Sequence, residues 1–350
     1  MTYLRRGDGP EGARVMLVGE AYGATEEQVG RPFEGASGQL LNGMLHDAGI
    51  MRSEVYATNL INARPPGNDL AAWMPTKKKD IGRDHVALHD RMVLPIVREG
   101  YAILLGEIDR IKPDIIIACG NAAMWALTRT WGILKWRGSQ LTADLPGQPK
   151  VLPTIHPAAV LREYAFRPIV VNDLKRAARH RYPGPWNNQP AWNFIIRPSL
   201  QTVLDTYAML MARATEGPIW LDFDIETSPI HITCFSISWS RHDAICVPIT
   251  SSSNVDGYWS LDEEALVVHG AYRLLTHPNV YVRGQNLLYD CQHTYRHWHF
   301  VPNVKQDTML AHHSMFCGLK KSLDFQASMY CDHYVYWKEM HKDLSNKAGA

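Results

Sequence analysis

A chain of 350 residues, 46% hydrophobic and 20% charged, exceeds what one hydrophobic core usually supports, so two domains are expected. No apolar run approaches the ~18 residues of a membrane span and the first residues lack the apolar core of a secretory signal, which argues against a membrane partner and predicts a cytoplasmic location. The formal net charge of +1 conceals a basic stretch through residue 190, with 24 Lys and Arg against 19 Asp and Glu, and an acidic remainder with 12 against 16; the first suits a phosphate backbone and the second suits metal ions.

In chain order, residues 14–19, 55–60, 113–119 and 151–155 are short apolar runs that read as buried strands. Between them, residues 39–48 place Leu40, Leu41, Met44, Leu45 and Ala48 on one helical face, and residues 83–111 read as helical for most of their length. Strand and helix in alternation predict a mostly parallel sheet covered on both sides. The stretch Tyr182-Pro183-Gly184-Pro185-Trp186-Asn187-Asn188-Gln189-Pro190 has the composition of a connection. The expected organisation is a first domain over 1–182, a linker over 183–198 and a second domain over 199–350. In the second domain Ser199 is a predicted N-cap for a helix through residue 214. Strands are expected at 218–225, 232–240, 243–249 and 280–283, with helices at 263–275 and 286–298. That pattern is α/β with a mixed sheet.

The first strand runs directly into Gly19-Glu20-Ala21, where the carboxyl end of a parallel strand delivers functional groups to a crevice. Taken singly, the residues that follow have structural readings: Phe33 as a core aromatic, Asn59 as a turn former, His156-Pro157 as a helix start. Together, Gly19-Glu20-Ala21, Gly30-Arg31-Pro32-Phe33, Thr58-Asn59, Arg64-Pro65-Pro66-Gly67-Asn68 and His156-Pro157-Ala158-Ala159-Val160-Leu161-Arg162 resemble the family 4 uracil-DNA glycosylases over roughly residues 13 to 180. The resemblance implies a uracil-DNA glycosylase-like parallel sheet flanked by helices, and DNA containing uracil, single- or double-stranded, as partner. It implies His156 as hydrogen-bond donor to the uracil carbonyl, Glu20 as the residue that orients water with Glu26 as second candidate, and Phe33 and Asn59 as base-binding residues. Leu161 and Arg162 would contact the DNA. No cofactor is implied for this reaction. Family 4 members hold an iron–sulfur cluster on four cysteines, one immediately before Arg-Pro-Pro; Ala63 stands there and no cysteine precedes Cys119, so no cluster is expected. Tyr22 stands where the family usually has proline.

Further on, Trp220-Leu221-Asp222-Phe223-Asp224-Ile225-Glu226-Thr227 places Asp224 and Glu226 on one strand face, an arrangement costly without cations. With Asn286-Leu287-Leu288-Tyr289-Asp290, and with Asp307-Thr308-Met309-Leu310 and Lys321-Ser322-Leu323-Asp324 beyond it, this segment resembles the 3'-5' proofreading exonuclease of the family A polymerases over roughly residues 200 to 335. The resemblance implies an RNase H-like exonuclease fold, two Mg2+ or Mn2+ ions held by Asp224, Glu226 and Asp290, Asn286 as a substrate contact, and a polymerase domain or subunit downstream. Asp222 shares the strand face and Asp307 reads as a helix N-cap. Histidines 293, 297, 299, 312 and 313 read as a solvated face rather than a zinc site. The third motif of such exonucleases, tyrosine followed four residues later by aspartate, is not met: Met340 stands at that spacing from Tyr336, and Asp343 at another. The exonuclease is therefore expected to be C-terminally incomplete. The expected function is uracil removal coupled to a proofreading module, with a non-catalytic DNA-binding or uracil-sensing module docked on a separate polymerase as the alternative.

Overall fold

A computed structural model describes residues 4–228, 231–251 and 257–338. The chain divides into two compact units, one running to Asn188 and resuming at Asp324, the other Gln189–Leu323. None of the described helices is long and apolar enough to cross a membrane.

The first unit contains β1 (Val15–Ala21), α1 (Ala24–Val29), α2 (Ala36–Asp47), β2 (Val55–Ile61), β3 (Val86–Leu88), β4 (Arg91–Val93) and α3 (Pro95–Ile111). It continues with β5 (Ile115–Cys119), α4 (Asn121–Thr128), α5 (Ile133–Trp136), β6 (Leu141–Thr142), β7 (Lys150–Thr154), α6 (Pro157–Arg162) and α7 (Arg167–Arg179). The strands β2, β1, β5 and β7 lie side by side in that order, all parallel, and β6 adds antiparallel to β7. β2, β5 and β7 are buried at every position, as a parallel sheet covered on both faces requires. The chain leaves β1 for β2 on one side and returns to β5 on the other. The carboxyl ends of β1 and β5 therefore flank a topological switch point, where open α/β sheets place their ligands.

The region expected to be mostly helical from residue 83 departs from that reading: β3 and β4 form an antiparallel hairpin, and the helix begins only at Pro95. Proline fits the first helical turn and pushes the residue before it into extended backbone, which Leu94 adopts. His89 takes a left-handed φ of 53° at the hairpin turn and packs edge-on against Tyr101 and Trp125.

Residues 324–338, expected with the second domain, lie in the first unit. The reason is a buried pair of guanidinium groups. Asp173, wholly buried, accepts from Arg137 Nε at 2.9 Å, but Arg137 Nη1 reaches Ser328 Oγ at 2.6 Å and Arg176 Nη2 reaches the Cys331 carbonyl at 2.6 Å. Without acceptors these charges would be costly to bury. Gln140 N–H donates to the Tyr334 carbonyl and Tyr336 N–H to Ser139 Oγ, extending the contact. Met340 and Asp343, weighed for the third exonuclease motif, lie outside the described residues, whereas Tyr336 packs at 5.3 Å against Trp136 of the first unit.

The second unit contains β8 (Asn193–Ile196), α8 (Leu200–Glu216), β9 (Ile219–Ser228), β10 (His231–Ser238), β11 (Asp243–Pro248), α9 (Leu261–Leu275), β12 (Val280–Gly284), α10 (Leu287–Trp298), β13 (Val304–Asp307) and α11 (Thr308–Met315). Its strand order is β13-β12-β9-β10-β11-β8. β9, β10 and β11 are an antiparallel meander, while β12 and β13 add in parallel beside β9. This is the mixed, RNase H-like sheet expected from the sequence. β8 falls in the stretch expected to be linker: the β-favouring Phe194-Ile195-Ile196 pairs in parallel with β11. Ser199 caps α8 by accepting from Thr202 N–H. Leu221, Phe223 and Ile225 of β9 turn into the core with Phe235 and Val282, leaving Asp224 and Glu226 on the opposite face.

Candidate active site

The carboxyl ends of the first unit's strands gather Glu20, Glu26, Phe33, Asn59, His156 and Arg162 around one cavity of about 240 Å³. Leu161 does not line it; on α6 beside Arg162 it is 52% exposed.

Each polar group is held by a partner that follows from the fold. Glu20 is next to last in β1, beside the N-terminus of α4, and its Oε1 accepts from Ala122 N–H at 3.0 Å, at the end of a helix that favours negative charge. Gly120 makes this approach feasible: a Cβ there would lie 2.6 Å from Glu20 Oε1. Glu26 has a different environment. Its carboxylate accepts from Gly23 N–H and Glu34 N–H at 3.1 Å and from Gly35 N–H at 2.8 Å. It fastens the loop that carries Phe33, whose φ of 59° is strained for an aromatic residue.

His156 is the N-cap of α6, and its Nδ1 accepts from Ala158 N–H at 3.2 Å. A backbone N–H can only donate, so Nδ1 is unprotonated and Nε2 carries the ring hydrogen. Burial holds the imidazole below its ordinary pKa; Arg162 adds to that effect, and Glu20 and Glu26 oppose it. The ring is thus a neutral hydrogen-bond donor. Phe33 and His156 rings are 6.3 Å apart and tilted by 26°.

Asn59 belongs to a network that the sequence did not reveal. Asn59 N–H and Nδ2 both donate to Asn62 Oδ1 at 3.1 Å, and Asn62 Nδ2 donates to Thr58 Oγ1 at 2.9 Å. Gly19, the register partner of Asn59 across β1 and β2, leaves room for the amide: a Cβ at Gly19 would lie 2.2 Å from Asn59 Oδ1. Nothing in hydrophobic periodicity marks Asn62; only its position three residues after Asn59 was available as a signal. Tyr22 is buried, donates its hydroxyl to the Gly30 carbonyl at 3.3 Å and forms part of the wall. Burial pushes its phenol up to about 12, so it is neutral.

An iron–sulfur cluster does not fit this unit. Ala63 offers no ligand atom and is packed in the core. Cys119 and Cys331 are the unit's cysteines by sequence, and burial pushes the Cys119 thiol up to about 12, against the thiolate a cluster needs.

In the second unit Asp222 is engaged by Arg283, at 2.5 and 2.9 Å, which separates it from Asp224 and Glu226. Burial, and then Glu226, raise the Asp224 pKa. Asp290, on α10, accepts from Ile225 N–H at 2.9 Å and is pushed up to about 6, mainly by burial and with a contribution from Asp224. Asn286 precedes α10 in a left-handed conformation, its N–H donating to Asp307. Asp307 also accepts from the N–H groups of Leu287, Met309 and Leu310, so it caps helices. The carboxylates are hard oxygen donors of the kind Mg2+ and Mn2+ take. Among the described residues, however, no three His, Cys, Asp or Glu side chains come together as a metal-holding group.

Comparison with known proteins bears on the first unit. Residues 6–175 match the family model described as the uracil DNA glycosylase superfamily. The type-4 uracil-DNA glycosylase of Thermotoga maritima is 34% identical over 175 residues, 49% of this chain and 79% of that protein. That of Pyrobaculum aerophilum is 35% identical over 178 residues, 48% and 78%. A DNA polymerase of Bacillus phage SP01 is 29% identical over 171 residues, 49% of this chain but 16% of that protein. Among solved structures, Escherichia coli RNase D resembles 43% of this chain and 36% of its own at 12% identity, with a TM-score of 0.28, a likeness too slight to bear on function. The family match and the cavity fall on the same residues: through its first half, the chain belongs to the uracil DNA glycosylase superfamily.

Proposed function

We propose that the first unit hydrolyses the N-glycosidic bond of uracil in DNA. A base must leave the stack before such a cavity can hold it; Phe33 then stacks on it and the Asn59 amide reads its Watson-Crick edge. As the bond between C1' and N1 breaks, its electron pair passes to the base. The Nε2–H of neutral His156 donates to the uracil carbonyl where that charge collects. Glu20 orients the water whose oxygen bonds to C1' and takes up the proton it sheds, which finally neutralises the departed uracil anion. Glu26 is committed to three backbone N–H groups, which favours Glu20 for that role. Exposed Leu161 fills the gap left by the base, and Arg162 holds neighbouring phosphates. The observation that carries this reading is the His156 tautomer, which leaves Nε2–H as a neutral donor. Incubation with a uracil-containing oligonucleotide in EDTA, followed by alkali, should give strand scission that falls about 10²–10³-fold in His156→Ala and is also lost in Glu20→Ala. No scission by the wild type favours a binding module, and a requirement for Mg2+ overturns the mechanism.

For the second unit, the fold and the acidic face of β9 support a 3'-5' exonuclease module associated with a family A DNA polymerase. Asp224, Glu226 and Asp290 would hold Mg2+ or Mn2+ there, and such ions, when bound, activate water for phosphodiester hydrolysis. Asn286 would contact the substrate strand.

A further inference from the structure

We propose that Asn62 is a positioning residue that sets the pocket's preference for uracil over cytosine; this rests on the reading of Asn59 as the base-reading amide. Uracil presents an N3–H donor beside an O4 acceptor, and cytosine presents the reverse, an N3 acceptor beside a 4-amino donor. An asparagine amide matches one or the other according to which way it is turned. A free amide could turn to suit either base.

Here the turn is fixed by a chain of constraints that starts at the backbone. Asn59 N–H can only donate, so the atom of Asn62 that faces it at 3.1 Å is Oδ1. Thr58 Oγ1 at 2.9 Å takes the Asn62 nitrogen on the other side. The same Asn62 Oδ1 then faces the Asn59 side chain, and because it only accepts, Asn59 presents Nδ2 to it at 3.1 Å. Asn59 is left with its Oδ1, lying over Gly19, and one remaining Nδ2 hydrogen for a base in the cavity it lines. That pair complements uracil and opposes cytosine at both positions. Thr58, Asn59 and Asn62 are all buried, where water competes poorly for these bonds and an alternative orientation would leave polar groups unpaired.

The test uses the full chain and two readouts: kcat/KM on a uracil-containing oligonucleotide, and inhibition of that reaction by free uracil against free cytosine. Asn62→Leu, which keeps the volume and removes the acceptor, should lower kcat/KM and narrow the uracil-to-cytosine inhibition ratio, each by about 5- to 100-fold. Asn62→Asp, which retains the acceptor, should restore most of both. Loss of activity with an unchanged ratio and no rescue by Asp would make Asn62 merely structural and overturn the proposal. If the melting curve shows that Asn62→Leu does not fold, Thr58→Val removes the group that holds the Asn62 nitrogen; a narrowed ratio supports the proposal and an unchanged one overturns it. Asn59→Ala separates the two levels: if it leaves excision intact, the reading of the pocket fails. If it abolishes excision while Asn62→Leu changes nothing, only the role of Asn62 fails.

Discussion

The two units handle acidic groups in opposite ways. In the first, every carboxylate near the cavity is met by protein: Glu20 by the amide at the start of α4, Glu26 by three loop N–H groups. In the second, Asp224 and Glu226 stand two residues apart on one face of β9; burial and then Glu226 raise Asp224, and Asp290, though it accepts from Ile225 N–H, is raised by burial with a contribution from Asp224. Backbone donors balance charge as soon as the chain folds, so the first site is organised by its own sequence. Burial together with like charge leaves the second set without that balance, which is what the proposed Mg2+ or Mn2+ ions would supply. One site is electrostatically finished and the other is not.

The sharpest way to break this comparison is to disturb the first site sterically. Gly120→Ala puts a Cβ 2.6 Å from Glu20 Oε1 at a backbone φ of 101°, and the carboxylate must leave the Ala122 amide. A displacement on the order of 1 Å can cost about 10²-fold in rate, and kcat/KM on a uracil-containing oligonucleotide should fall by about that much, with or without Mg2+. Activity equal to the wild type would show that the α4 amide does not place Glu20. A smaller effect tests the second unit. Mg2+ should raise the melting temperature by about 5 °C, following mass action on the folded state. Asp224→Asn should abolish that rise while stabilising the metal-free protein, because it removes one of the repelling charges. A Mg2+-induced rise that survives Asp224→Asn would place the cation elsewhere.

What the sequence disclosed follows the range of the physics involved. Buried parallel strands announce themselves as unbroken apolar runs, and all four expected in the first unit formed within a few residues of their expected bounds. Spaced motifs brought six of the seven expected glycosylase residues to one cavity because they stand on or next to the strand ends and short helices that ring the carboxyl edge of the sheet. The hairpin of β3 and β4 was hidden because its few residues fit a helical period as well as an alternating one. The placement of residues 324–338 was illegible for another reason: it depends on Arg137 and Arg176 finding acceptors more than 150 positions away, and no local pattern records such a need. Asn62 was missed differently: its partners Thr58 and Asn59 are near in sequence, but its orientation is set by three hydrogen bonds rather than by any motif.

The smallest predicted effect concerns protonation of His156. Its folded-state pKa is depressed below the ordinary value near 6.5, so the native state binds fewer protons there than the unfolded chain. The stability it contributes is present above about pH 6.5 and is lost as pH falls through that value toward the folded pKa. In activity, protonation removes the Nδ1 acceptor from Ala158 N–H and with it the bond that aims Nε2. The ring hydrogens of His156, followed by NMR, should therefore titrate below about pH 6.5. Arg162→Gln should move that midpoint upward and Glu20→Gln downward, since the guanidinium disfavours the imidazolium and the carboxylate favours it. Added salt should shrink the Arg162 effect first, because that side chain is exposed and its field is screened. A midpoint above 6.5, or shifts of the opposite sign, would mean that His156 works as a cation, and the first site would then need a counter-charge just as the second does.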